Sequence, residues 1–157
     1  MSRDYAAFEP IDVPHDLLAW IEDLWGIPAA AVASGNRFYR RSGRDEVWIS
    51  HAVVHPPIPP RVHAIGTRLI DRAPPAGYPG TAFLRRYGHL ATRRVVDLDD
   101  AQLTVFLSGA TLRDVPGDLP GYHIVRYRGA TVGRAIRRGD DLECELPRTL
   151  RLRAPTP

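Results

Sequence analysis

The sequence predicts an α+β chain: a small N-terminal helix-plus-hairpin module (residues 1–58) packed on a C-terminal mixed β-barrel (residues 59–157). Three observations carry that prediction. The apolar residues recur at helical spacing early in the chain and switch to two-residue alternation beyond Pro120. The run His55-Pro56-Pro57-Ile58-Pro59-Pro60 is stiff and short of backbone donors, so it reads as a connector, with a polyproline ligand as the alternative. The formal charge also changes sign there. Residues 1–60 hold five arginines against eight acids (−3), and residues 61–157 hold sixteen against ten (+6).

With 44% apolar and 25% charged residues, the 157-residue chain has a globular composition, which excludes disordered and fibrous classes. No apolar run approaches the ~20 residues that span a bilayer. No apolar signal core follows Met1-Ser2-Arg3-Asp4, so a cytoplasmic location is expected. All 21 basic residues are arginine. The absence of lysine reads as the composition of a GC-rich genome. The placement of the arginines bears on function, because guanidinium groups suit phosphate and base recognition.

In the first module, Asp12-Val13-Pro14 is expected to open a helix, with Asp12 meeting its free N–H groups. Leu17, Leu18, Ile21, Leu24 and Trp25 make its apolar face, Asp16, Glu22 and Asp23 its acidic exterior, and Gly26 its stop. A short turn is expected over 28–33. Strands over 37–40 and 46–50, joined by Ser42-Gly43-Arg44-Asp45, read as a hairpin with Phe38, Val47 and Ile49 inward. Trp48 then points outward, as a stacking surface or packed beneath a neighbouring element.

The second part is expected to run as a strand over 62–70, a Pro/Gly loop over 74–80, a helix over 81–87 and a strand over 91–96. Asp99 and Gln102 have capping-box spacing, Leu98 and Leu103 form a hydrophobic staple, and Gly109 ends that helix. Strands follow over 121–128, 131–137, 142–146 and 149–153. Short strands at close spacing suggest a small mixed barrel.

The segment Arg86-Tyr87-Gly88-His89-Leu90-Ala91-Thr92-Arg93-Arg94 resembles the Gly-x-x-Ala-Thr segment of PUA RNA-binding domains. Gly121-Tyr122-His123-Ile124-Val125-Arg126-Tyr127-Arg128-Gly129, Val132-Gly133-Arg134-Ala135 and Leu146-Pro147-Arg148-Thr149-Leu150-Arg151 resemble the PUA-like tail of Fmu/Sun-type RNA cytosine methyltransferases. The N-terminal helix, Gly26-Ile27 and the hairpin from Phe38 to Trp48 are similar to the pre-PUA module of ribosome-biogenesis proteins. The resemblance implies a pre-PUA module on a PUA-like barrel. It also implies a non-catalytic protein that recognises structured rRNA or tRNA, in RNA modification or ribosome maturation. A partner RNA-modifying enzyme or ribosomal particle is the second implied partner class. An adaptor whose barrel docks such an enzyme, with the acidic N-terminal helix as its handle, is the alternative function. Neither membrane nor DNA is an expected partner.

RNA contact needs cations along a backbone track. The candidate set is Arg85, Arg86, Tyr87, Gly88 and His89, then Arg93 and Arg94, then Arg148, Arg151 and Arg153. The resemblance places the short helix, the Gly turn and the last strand together on one RNA face, with Gly88 allowing close approach to a phosphate or sugar. Arg126, Arg128, Arg134, Arg137 and Arg138 read either as contacts or as a solvated face paired with Asp140 and Asp141. His123 reads as a surface strand position.

No catalytic, metal or cofactor site is expected. The methyltransferase catalytic half and its Gly-rich cofactor loop are missing. Cys144 sits between Glu143 and Glu145, which raise a thiol pKa and suppress its nucleophilicity. His51, His55 and His63 span a strand end and a proline connector, a poor geometry for zinc.

Overall fold

The structure is a computed structural model and describes residues 8–53 and 64–152. The proline connector, His55, His63 and Arg153 lie outside the described residues. The chain forms two compact units that divide between Phe83 and Leu84, well beyond the boundary expected at 58/59. Moving the boundary moves charge. The first unit carries eight arginines and nine acids (−1), the second thirteen arginines and nine acids (+4).

The first unit is an antiparallel sheet in the order β1 (Phe8–Ile11), β2 (Asn36–Arg41), β3 (Val47–His51) and β4 (Thr67–Ile70). Of the expected strand over 62–70, the described residues are in strand over Thr67–Ile70, and these extend the first sheet by pairing with β3. The edge strand β1 was not expected, because Pro10 cannot donate a ladder bond; an edge tolerates that loss. Phe38, Val47 and Ile49 are buried as predicted.

Helix α1 (His15–Trp25) buries Leu17, Leu18, Ile21 and Trp25 and ends at Gly26, whose φ of 66° lets its N–H reach the Glu22 carbonyl. Asp12 does not cap it. Pro14 occupies the cap position without a side-chain bond, so the helix starts one residue later than proline at its first turn would place it. The short α2 (Ala29–Ala33) follows, its first N–H donating to the Glu22 carboxylate at 3.1 Å. Trp48 is half-buried: it packs edge-on against Phe8 at 5.4 Å, and its indole N–H donates to Glu46.

Helix α3 (Thr81–Tyr87) carries the chain across the boundary and runs into a 3₁₀ turn, Gly88–Leu90. The second sheet has the order β5 (Val95–Asp97), β6 (Gly121–Tyr127), β7 (Ala130–Arg138) and β8 (Asp141–Cys144). β5 and β6 are parallel, joined through α4 (Asp100–Ser108), and the remaining pairs are antiparallel hairpins. The expected strand over 91–96 starts late, because Arg94 sits at φ 51°, outside the extended region.

Helix α4 matches its expected signals. Asp99 accepts from Gln102 N at 2.8 Å, the Gln102 side chain accepts from Asp99 N at 3.1 Å, and Gly109 terminates the helix at φ 86°. Removing the cap with Asp99→Ala is expected to cost about 1 kcal/mol, read as a lower urea midpoint at unchanged m-value. Phe106, Leu98, Leu112, Val115, Val125, Ala135, Leu142 and Leu146 form the core beneath α4, with Leu103 and Leu107 packed against it.

Among the described residues both sheets are open, and neither closes into a barrel. The expected last strand over 149–153 is instead a 3₁₀ turn, Arg148–Leu150, entered through Pro147. Its continuation pairs with a helix end, Leu152 N donating to the Leu107 carbonyl at 2.8 Å. Among the described residues, then, nothing supplies the expected closing strand. No helix among the described residues is long and apolar enough to cross a membrane.

Candidate nucleic-acid interface

The second sheet divides the expected arginine set in two. Across the β6–β7 pair, Arg126 opposes Thr131 but Val125 opposes Gly133, so Val132 is an extra residue on β7. Directly paired residues share a face, and Val125 and Arg126 point oppositely, so Thr131 and Gly133 lie on opposite faces. Thr131 meets Gly88: a Cβ at Gly88 would stand 2.5 Å from the Thr131 hydroxyl. Gly133 meets Leu146 and the Phe106 ring of α4.

The Arg85–His89 segment thus belongs to one face and the closing segment to the other. Arg151 donates through Nε to the Leu146 carbonyl at 2.9 Å, and its side chain lies against Gly109 at the end of α4. Arg148 is exposed on that second side. The structure does not bring the two groups onto one RNA face.

Within the first group the residues differ. Arg85, Arg86 and His89 are exposed, and among the described residues neither arginine has a carboxylate within ion-pair distance. The Arg86 guanidinium stacks on the Tyr87 ring at 5.0 Å, while Tyr87 itself is buried. Gly88 is buried against β7, so its missing side chain serves packing on Thr131 and not approach to a ligand. Arg93 is exposed.

The hairpin arginines are mostly paired, but not with the expected acids. Arg126 forks onto Asp97 at 3.1 and 3.2 Å, Arg128 meets Asp100, Arg134 meets Glu145 and Arg138 meets Glu143. Asp141 is taken by Arg113.

Two residues read as surface positions are buried instead. Arg137 is 4% and His123 5% exposed. Both line a cavity of about 450 Å³ together with Arg94, Gln102, Val115 and Leu119. Arg137 donates through Nη1 to the Val115 carbonyl and through Nη2 to Pro116 O at 3.3 Å. Gly117 makes room for it, since a Cβ there would stand 2.7 Å from the guanidinium carbon. Arg94 donates to Pro120 O at 2.6 Å, and its own carbonyl accepts from Ile124 N. The left-handed backbone at Arg94 costs of order 1–2 kcal/mol, which these bonds at both ends of the residue offset. The available signal for Arg137 was its step along β7: it shares a face with Gly133 and Ala135, the positions that pack under α4.

Burial is the largest influence on His123 and lowers its pKa below the ordinary 6.5. Its bond to the Gly121 carbonyl (Nδ1 at 2.9 Å) opposes that, and the Arg137 and Arg94 charges add to it. The native state therefore resists a proton that the unfolded chain accepts, so stability falls as pH drops from about 6.5 towards the native pKa. Chemical denaturation at pH 7.5 and 5.5 is expected to show a smaller acid loss in His123→Gln than in the parent protein.

Cys144 is half-buried, its thiol donating to the Phe106 carbonyl at 3.3 Å. Its pKa is raised, as expected, but chiefly by burial, with Glu145 a minor contributor and Arg151 opposing.

The first unit holds a larger, mainly apolar cleft of about 780 Å³ along Leu17, Trp20, Val47 and Ile70. No protein-family model and no curated protein matches the chain.

Proposed function

We propose that the chain is a non-catalytic RNA-binding protein of the pre-PUA and PUA-like kind, which recognises structured rRNA or tRNA through its second unit. The observation that carries this reading is the adjacent pair Arg85 and Arg86. Both are exposed, neither has a carboxylate partner among the described residues, and His89 and Arg93 follow on the exposed side of the same segment. Neighbouring guanidinium groups without acid partners are the footprint a phosphate backbone selects, whereas arginines already paired with acids would have to give up those pairs first. The +4 charge of the second unit supports long-range attraction of the polyanion.

On exposure, the contact set narrows to Arg85, Arg86, His89 and Arg93, with Arg148 as a separate cation on the opposite face. The ordered motifs of the sequence support the PUA-like assignment. The adaptor alternative is weakened by Glu22, whose carboxylate already caps α2.

Filter retention of total tRNA and rRNA fragments across salt concentrations tests the reading. Affinity should fall steeply as salt rises, and Arg85→Glu with Arg86→Glu should lower the log–log slope by about 1 for each phosphate no longer neutralised. Arg138→Glu, at a residue paired with Glu143, should change little. RNA retention that is absent at low salt, or unmoved by the double reversal, would sink the proposal.

A further inference from the structure

The cavity lined by Arg94, His123 and Arg137 also has Asp97 and Asp118 on its wall, but among the described residues neither carboxylate pairs with either guanidinium. Arg137 is buried and has no carboxylate partner among the described residues. Two backbone carbonyls orient it without cancelling its charge, and its Nε–H has no acceptor among the described residues. A buried cation left in that state is costly, and a counter-anion in the cavity removes the cost.

Arg94 adds a second guanidinium, of which a single N–H is engaged among the described residues, by Pro120. Of the two carboxylates on the cavity wall, Asp97 is already forked by Arg126, and Asp118 is exposed to water. The charges acting on His123 are the two guanidinium groups. The remaining wall includes Val96, Val115 and Leu119, so the cavity combines guanidinium groups with apolar side chains. Its volume lies within the range of small-ligand sites and exceeds that of a bare oxyanion several-fold.

We propose that this cavity binds a phosphate monoester, borne by a small molecule or by the end of a polynucleotide. Arg94 and Arg137 hold the dianionic phosphate, and the apolar side chains cover the group it is attached to. A monoester fits better than a phosphodiester because two guanidinium groups match two negative charges. The site is separate from the Arg85–Arg86 surface, and either can fail without the other.

The test is an NMR titration of the nitrogen-15-labelled full chain. Its probes are inorganic phosphate, adenosine 5′-monophosphate, adenosine, and a short oligoribonucleotide with and without a 5′-phosphate. Saturable shifts of the Arg137 Nε–H and the His123 ring are expected with phosphate and the monophosphate, and none with adenosine. Tighter binding of the 5′-phosphorylated oligonucleotide than of the monophosphate assigns a polynucleotide end, and the reverse order assigns a small molecule. Arg137→Gln should abolish the shifts. Because that variant removes a buried anchor, Leu119→Trp serves as the second. Leu119 is 52% exposed at the cavity, and the larger ring should fill the space and weaken binding about tenfold while the far-UV spectrum stays unchanged. No saturable shift at either nucleus, equal shifts with adenosine, or undiminished binding by Leu119→Trp overturns the proposal.

Discussion

Phe106→Ala is expected to destabilise the protein by about 3–5 kcal/mol, the largest loss of any single truncation in the second unit. Phe106 is fully buried and stands at the centre of the core formed by α4, β6, β7 and β8. Its ring packs near Gly133, where the absence of a side chain admits it, and alanine would leave a void that this glycine cannot fill. The neighbours Leu112 and Leu142 are tied to each other by two backbone hydrogen bonds of 2.9 and 2.8 Å, which limits how far their backbones can move into the space. Denaturant titration followed by far-UV circular dichroism measures the loss; a change below about 1 kcal/mol would show that the core relaxes. Because a domain has only ~5–15 kcal/mol in hand, the same substitution should sharply lower soluble yield.

The local signals in the sequence were readable where one residue type has one physical use. Asp99 with Gln102 three residues later marked a helix start because their side chains meet orphaned N–H groups, and glycines at 26 and 109 marked ends because they take the left-handed turn without strain. The hairpins of β2–β3 and β6–β7 were likewise legible from alternation and turn residues. What failed was non-local. Whether β4 pairs with the first sheet or the second depends on partners elsewhere in the chain, and a four-residue strand carries no label for its sheet. The parallel β5–β6 pairing has the same character.

Arg137 and Arg138 show the limit for the candidate site. They are neighbours of identical chemistry, yet one is buried under Val115 and Pro116 and the other is exposed and paired with Glu143. The face each takes follows from the β7 register, and the extra residue at Val132 shifts that register. The same one-residue shift puts Thr131 and Gly133 on opposite faces, which separates the Arg85 group from Arg148 and Arg151. A single bulge thereby rearranges which cations can act together.

Glu46→Ala is the corresponding test in the first unit, with an expected cost of about 2–3 kcal/mol. Glu46 is 5% exposed and gathers Arg41 at 3.4 Å, Arg44 at 3.7 Å and Arg68 at 3.5 Å. It also accepts the Trp48 indole N–H at 3.1 Å. Truncation leaves these donors without their shared acceptor. The cost falls short of that for a fully buried pair because Arg44 and Arg68 are open to water and re-solvate. Glu46→Gln keeps an acceptor for Trp48 and most of the volume, so it should cost about half as much. Tryptophan emission reads both variants directly, since all three tryptophans lie in the first unit and one is bonded to this carboxylate. The variant also bears on function. Glu46 occupies three of the first unit's eight arginines; if the protein binds RNA as proposed, freeing them should raise weak, salt-sensitive RNA retention in Glu46→Ala above that of the parent. Parent-like stability together with unchanged retention would show that these guanidinium groups are not held by Glu46 in solution.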